Sequence, residues 1–195
     1  MKIILATSNR HKLIEVQAML SGSQWEIVGL DAYPELGEIP EDHDTMKANA
    51  IQKAETLFNY TGIPTVADDS GIEIRALGWA PGVYSKRWTP EASDEANNAK
   101  LLRELDGVED RFAQYRCAIA LVTEQGIDTA EGICTGLIGH ALQGTGGFGY
   151  DPLFWPTAFP DRTMAEVELS EKNRISHRAA AFAHLPEMLT RALTV

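Results

Sequence analysis

Two adjacent carboxylates are the side chains of this 195-residue chain whose chemistry is easiest to define. Asp68 and Asp69 follow the strand-like run 65–67 and precede Ser70 and Gly71. If a strand continues through the pair, the two side chains point to opposite faces. One carboxylate can then meet a metal or a water while the other orients a neighbour. The same residues are also common in turns, where Gly71 would allow a tight bend, so a catalytic pair and a polar turn are both open.

A second polar cluster lies between the first predicted strand and the first predicted helix. A strand that turns into a helix presents backbone N–H groups that bind anions. A lysine in the same loop is a point charge suited to phosphate. The cluster also carries short hydrogen-bonding side chains, and its members are Thr7, Ser8, Asn9 and Lys12. The alternative is an ordinary helix cap with a solvated lysine.

A glycine-rich loop at 144–152 matches the letters G-x-G-x-x-G. We reject a dinucleotide fingerprint, because that pattern must open a helix and Pro152 follows almost at once. A G-x-x-x-x-G-K-[ST] phosphate loop does not occur in the sequence. Phe148 and Tyr150 in the loop fit base stacking. Core packing is an equal explanation for the aromatic residues that follow it, Phe154 and Trp155.

Two further clusters have both a functional and an ordinary interpretation. The acidic residues between positions 38 and 44 are solvated loop charges or supply a second carboxylate to a metal: Glu38, Glu41, Asp42 and Asp44. The donors near the last predicted helix form a cap with surface charges or bind a ligand: Lys172, Ser176, His177 and Arg178.

Charge and composition limit the class of partner. The net charge of −11 repels nucleic acid polymers and anionic membranes, but a metal and a few local cations can still hold a small polyphosphate. The apolar run at 2–7 is too short for a signal peptide or a membrane span, so we expect a cytoplasmic protein with no membrane partner. Cys117 and Cys134 are expected to be small buried residues rather than a disulfide.

Apolar periodicity alternates between strand and helix along one predicted domain, 1–195. The predicted strands are 2–7, 25–30, 64–67, 72–77, 113–123 and 127–142, the last two joined as a hairpin. The predicted helices begin near 13, 45, 93 and 176, and the last breaks near Leu185 because of Pro186. Residues 31–43, 78–90 and 143–152 are predicted loops. This order predicts an α/β protein with a mixed sheet, whose loops at strand ends carry the chemistry.

Six short motifs occur in one order between residues 6 and 178, and together they resemble the inosine triphosphatase family, the Ham1-type non-canonical purine NTP pyrophosphatases. The motifs are Ala6-Thr7-Ser8-Asn9-x-x-Lys12, Asn49-Ala50-x-x-Lys53-Ala54, Ala67-Asp68-Asp69-Ser70-Gly71, Pro81-Gly82-Val83-Tyr84-Ser85-x-Arg87, Gly147-Phe148-Gly149-Tyr150-Asp151-Pro152 and Ser176-His177-Arg178.

The resemblance implies an elongated mixed, twisted sheet with flanking helices, in two lobes around a central cleft. It implies hydrolysis of ITP, dITP and XTP to the monophosphate and pyrophosphate, which removes deaminated purines from the nucleotide pool. It also implies Mg²⁺, with Mn²⁺ as a substitute, and a homodimer.

The resemblance further implies roles for individual residues. Asp69 matches the general base and a metal ligand, Asp68 supports it, and Glu41 matches the other metal ligand. Ser70 and the phosphate-side loop match substrate contacts: Thr7, Ser8, Asn9 and Lys12. The base-side contacts match Phe148, Gly149, Tyr150, Asp151, Lys172, His177 and Arg178.

The chain departs from the family pattern at several positions near these motifs. Ser8 replaces a common glycine, Lys86 a small residue, and Ala48 an acid, while Asp42-His43 replaces a common Thr-Gly.

Two rival functions lead to different expectations. A related Maf-type pyrophosphatase would act on pyrimidine or modified nucleotides. A catalytically silent nucleotide-binding module would release no pyrophosphate.

Overall fold

The computed structural model describes residues 2–7, 9–34 and 39–193. The strands are β1 (Lys2–Leu5), β2 (Glu26–Gly29), β3 (Thr65–Ile74), β4 (Phe112–Thr123), β5 (Gly126–Ile138) and β6 (Phe154–Pro156). The helices are α1 (Arg10–Met19), α2 (Met46–Thr61), α3 (Asp94–Glu104), α4 (Leu169–Ile175), α5 (His177–Phe182) and α6 (Leu185–Leu193). Within this part of the chain, no helix is long and apolar enough to cross a membrane.

The strands form one six-stranded sheet in the order β2-β1-β3-β4-β5-β6. Strand β1 pairs in parallel with β2 and with β3, whereas β5 and β6 are antiparallel. A two-residue turn, Glu124–Gln125, joins β4 to β5, as the hairpin prediction required. The predicted α/β class with a mixed sheet and flanking helices is confirmed.

The chain forms two compact units, each assembled from several segments. The first comprises the described parts of 1–69 with 117–132 and 179–193, and the second comprises 70–116 with 133–178. The division falls within β3, between Asp69 and Ser70. The prediction of one functional domain over 1–195 stays a prediction.

Strand β1 separates two hydrophobic clusters in the first unit. Successive strand residues face opposite sides, so Ile3 and Leu5 pack with side chains of α1, α5 and α6. Ile4 instead packs on the other side against residues of α2, such as Ala54 and Leu57. Helices α1 and α2 therefore pack on opposite faces of β1.

Helix α2 begins and ends where its sequence specifies. The Thr45 side chain accepts a hydrogen bond from the Ala48 amide at 3.2 Å, which caps the first turn. Gly62 ends the helix with a φ of 66°, a left-handed conformation that glycine adopts without a Cβ penalty. Both ends hold the inward face of α2 in a fixed register against the sheet.

The second unit has its own hydrophobic core. Ile72 and Ile74 of β3 pack there with Leu101 and Leu105 of α3. Strands β4, β5 and β6 add further members, including Tyr115 and Phe154. This core supports the loop at 143–152 and the segment that leads into α5.

The predicted break at Asp68-Asp69-Ser70-Gly71 is wrong. Strand β3 is continuous over Thr65–Ile74, and Gly71 lies inside it rather than in a turn. Strand β3 lies between β1 and β4 in the sheet, and β1 pairs with it at Thr65 and Val66. Continuation of the strand within the sheet outweighs the low strand propensity of Asp, Ser and Gly at these positions.

The sequence analysis also missed two elements. Strand β6 and helix α4 were not predicted, and the helical tail begins at Leu169 rather than at Ser176. The break near Leu185 is confirmed, because α5 ends at Phe182 and α6 begins at Leu185. Pro186 lies in the first turn of α6, where a missing N–H is tolerated.

Candidate active site

The two carboxylates of β3 point to opposite sides of the sheet, as a continuous strand requires. Asp68 and Asp69 are both buried. Lys12 of α1 donates to Asp68 Oδ2 at 2.7 Å. Asn49 of α2 donates to Asp69 Oδ2 at 2.9 Å. Adjacent residues thus take their partners from different helices, and the structure brings the first-unit motifs together around β3.

Lys53 is a buried cation next to the carboxylates of Asp68, Asp69 and Glu41. Its ammonium donates to the backbone carbonyl of Asp68 at 2.6 Å and forms an ion pair with Glu41. Burial by itself would lower the pKa of Lys53, but the charges of Asp68, Glu41 and Asp69 outweigh burial and raise that pKa above its ordinary value. Lys53 is therefore a permanent positive charge among three carboxylates.

Asn49 fixes the environment of Asp69 through both ends of its amide. Its oxygen accepts from the His43 amide at 2.9 Å, which leaves its NH₂ group directed at Asp69. Burial raises the pKa of Asp69 above its usual range, and Lys53 and the Asn49 hydrogen bond oppose that rise. A carboxyl in this environment is a better proton acceptor than an exposed aspartate.

The loop between β1 and α1 is built around local hydrogen bonds. Thr7 Oγ1 accepts from the Asn9 amide at 3.1 Å, and Asn9 Oδ1 accepts from the Lys12 amide at 3.3 Å. These bonds are typical of a helix cap, and they hold the start of α1 at the end of β1. Ser8, which we also predicted to contact substrate, lies outside the described residues.

The acidic group has the donor chemistry of a magnesium site. Glu41 and Asp69 offer hard oxygen ligands, and their two charges exceed that of the neighbouring Lys53 by one. Among the described residues, no three His, Cys, Asp or Glu side chains form a complete metal shell of their own. Mg²⁺ commonly binds one or two carboxylates and completes its shell with water and substrate phosphates, so this group fits such an ion.

Asp151 organises the predicted base-side residues of the second unit. Its Oδ2 accepts from Lys172 Nζ at 2.8 Å and from the Phe148 amide at 3.1 Å. A Cβ at Gly147, whose φ is 72°, would collide with the same oxygen, so this turn requires glycine. The carboxylate therefore holds both the lysine and the aromatic loop.

Two cations lie beside the Phe148 ring. Lys172 Nζ is 4.8 Å from the ring centroid and Arg178 Cζ is 5.9 Å from it. Arg178 is almost fully buried and its Nη2 donates to Ser70 Oγ at 3.4 Å. An aromatic face with adjacent cationic donors is suited to a flat, oxygen-bearing base.

Helix α3 clamps the peptide groups of Gly149. The Gly149 amide donates to Asp94 Oδ2 at 2.6 Å, and Asn98 Nδ2 donates to the Gly149 carbonyl at 2.8 Å. Tyr150 turns into the core, where its hydroxyl donates to the Ser85 carbonyl at 2.7 Å. Gly149 and Tyr150, both predicted substrate contacts, thus fix the path of the loop that carries Phe148.

The sequence places this arrangement in a known family. The Ham1 family model matches residues 3–188. A Geobacter sulfurreducens protein named dITP/XTP pyrophosphatase is 46% identical over 192 residues, which cover 96% of this chain and 96% of the relative. The chain belongs to the Ham1 family. A Desulforamulus reducens relative with the same name is 45% identical over 195 residues, covering 98% of this chain and 96% of its own.

The fold agrees with that membership. The solved structure of a HAM1 protein from Coxiella burnetii superposes on this Ham1 family member with a TM-score of 0.89 and 37% identity. The match covers 98% of this chain and 100% of the other. Both the sequence motifs and the whole fold therefore belong to the same family.

Sequence reasoning gave no site role to several residues of this Ham1 family member. Asn49 and Lys53 were recognised only as part of a motif, although their i, i+4 spacing puts them on one helix face. Tyr115, Asp94 and Asn98 lie outside the motifs, and no signal in the sequence distinguished them. Each contacts a predicted site residue only through the fold.

Proposed function

We propose that this chain is a nucleoside triphosphate pyrophosphatase that hydrolyses ITP, dITP and XTP to the monophosphate and pyrophosphate. The observation that carries the proposal is the buried Asp69 next to Lys53 and Glu41, with the Lys12–Asp68 ion pair on the other face of the same strand, in a family member whose relatives are named dITP/XTP pyrophosphatase. This arrangement provides a proton acceptor and two phosphate-binding cations next to consecutive residues of one strand.

In the proposed reaction a water oxygen forms a bond to the α-phosphorus. Asp69 orients this water and accepts its proton, which suits a carboxyl whose pKa is raised by burial. The bond between the α-phosphorus and the bridging oxygen breaks, and pyrophosphate leaves with the electron pair. Lys12, positioned by Asp68, and Lys53 offset the charge of the phosphates.

Glu41 and Asp69 would hold the Mg²⁺ ion, for which Mn²⁺ is a substitute. When bound, the ion would offset phosphate charge and polarise the attacking water. In the described structure the carboxylate of Glu41 is paired with Lys53, and that of Asp69 with Asn49. A carboxylate has about four lone-pair sites on its two oxygens, so these hydrogen bonds are compatible with a bond to a metal.

Three side chains of the second unit, Phe148, Lys172 and Arg178, would recognise the base. Hypoxanthine and xanthine carry an oxygen acceptor at C6, where adenine carries an amino donor. Lys172 and Arg178 supply donors beside Phe148, so adenine would leave buried donors unpaired. GTP shares the C6 oxygen, and its rejection must therefore come from contacts on the C2 side.

A pyrophosphate-release panel with Mg²⁺ tests this proposal. We expect kcat/KM for ITP, dITP and XTP to exceed that for ATP by about 10²-fold or more, because a missing acceptor strands buried donors. GTP should also be a poor substrate. Faster turnover of methylated UTP than of ITP would instead support a Maf-type activity, and no release from any nucleotide would support a silent binding module.

The family resemblance and the sequence also lead to a proposal on location and assembly. We propose that the enzyme acts in the cytoplasm as a homodimer, with nucleotides rather than nucleic acid polymers or membranes as its partners. The net charge of −11 supports the exclusion of polyanions.

A further inference from the structure

Tyr115 contacts two of the predicted base-side residues of the second unit, Asp151 and His177. It lies on β4, and it is buried. Its hydroxyl donates to Asp151 Oδ1 at 3.3 Å. Its ring is stacked on the His177 imidazole, with centroids 4.8 Å apart and planes inclined by 13°. The Phe154 ring packs against the Tyr115 ring in an edge-to-face contact, with centroids 4.7 Å apart. Tyr115 itself therefore has little freedom to move.

The contact with Asp151 completes the restraint of that carboxylate. Lys172 and the Phe148 amide occupy Oδ2, while Tyr115 occupies Oδ1. A carboxylate bound at both oxygens cannot rotate about its terminal bond without losing a hydrogen bond. The position of the Lys172 ammonium therefore depends on Tyr115 indirectly, because both side chains bind Asp151.

The hydroxyl of Tyr115 is a dependable donor. Burial raises the pKa of Tyr115 well above its ordinary value, and the nearby charge of Asp151 raises it further. The phenol is consequently neutral throughout the pH range in which an enzyme of this kind would work, and it donates to Asp151 at every such pH.

We propose that Tyr115 is a positioning residue for purine selection: it fixes the Asp151–Lys172 pair and the His177 ring for a purine with an oxygen at C6. This inference rests on the proposed function, because it assigns Lys172 to the C6 oxygen. Tyr115 itself need not touch the substrate. Its effect is to hold a donor where the acceptor of ITP, but not the amino group of ATP, can use it.

Tyr115→Phe removes only the hydroxyl and keeps the ring stack on His177. We expect kcat/KM for ITP to fall about tenfold, mainly through KM, because one hydrogen bond to a charged group is lost. The value of kcat should stay within about twofold, and kcat/KM for ATP should not change. A purely structural defect would lower the rates for ITP and ATP by the same factor, so the ITP:ATP ratio separates the two explanations.

Tyr33→Phe is the matched control. It also deletes one phenol hydroxyl, which accepts from Lys2 in the first unit, and it should leave the ITP:ATP ratio unchanged. Because Tyr115 acts through Asp151, Tyr115→Phe should change the ITP:ATP ratio less in the Asp151→Asn background than in the parent protein. We expect less than half of the effect, expressed as a free energy.

An unchanged ITP:ATP ratio in Tyr115→Phe, or full additivity with Asp151→Asn, overturns the positioning role. These outcomes are separate from a failure of the proposed function. If the proposed function were wrong, the unmodified protein would itself show no preference for ITP over ATP.

Discussion

Asp69→Asn is expected to reduce kcat for pyrophosphate release from dITP by about 10²–10⁴-fold with Mg²⁺ present, the usual contribution of a positioned general base. The substitution keeps the shape of the side chain but removes its proton affinity and its charge. Because Asp69 is also a proposed metal ligand, the Mg²⁺ concentration for half-maximal rate should rise. Steady-state kinetics over a Mg²⁺ titration measure both effects.

Asp110→Asn is the control for the loss of one carboxylate. Asp110 is exposed and is paired with Arg75 at 2.7 Å, on a surface to which we assign no role in substrate binding. This variant should keep the kcat and the Mg²⁺ dependence of the parent protein. Near-parental turnover of Asp69→Asn would contradict the assignment of Asp69.

Lys53→Met is expected to lower both the stability and the activity. It removes the buried cation and leaves the buried Asp68 and Asp69, and the partly exposed Glu41, without its charge. Removing one partner from a fully buried ion pair typically costs about 3–5 kcal/mol of unfolding free energy, and the loss should be smaller here because the Glu41 side chain is 34% exposed. Urea denaturation should show that loss, and pyrophosphate release should fall because the phosphates lose one of their cations.

Two companion variants make the Lys53 result specific. Lys47→Met changes an exposed lysine of the same helix, and it should leave the denaturation midpoint nearly unchanged. Lys53→Met combined with Glu41→Gln should recover part of the lost stability, since one stranded charge is also removed. Equal stability of Lys53→Met and the parent protein would show that the ammonium is not needed to balance the acids.

The sequence was sufficient for the architecture but not for the course of β3. Alternating apolar periods predicted the α/β class, the starts of α2 and α3 near residues 45 and 93, and the β4–β5 hairpin. The acid pair looked like a turn because Asp, Ser and Gly favour turns locally. Its strand conformation comes from the place of β3 in the sheet between β1 and β4, which local composition does not report.

The candidate site was predictable to the extent that its residues lie in motifs. Asp68, Asp69 and Lys12 occur in such motifs, and the structure adds which carboxylate each helix meets. Lys53 could have been found from its spacing to Asn49. The role of Tyr115 could not, because a tyrosine in a buried strand is usually core. Only the fold brings its hydroxyl to Asp151.

The most direct test of the central claim is the fate of isotope from water during dITP turnover. Hydrolysis in H₂¹⁸O with Mg²⁺, followed by mass spectrometry of the products, identifies the phosphorus that is attacked. We predict dIMP carrying one ¹⁸O atom, together with unlabelled pyrophosphate. Formation of dIDP and orthophosphate, or of pyrophosphate carrying the label, would contradict attack at the α-phosphorus.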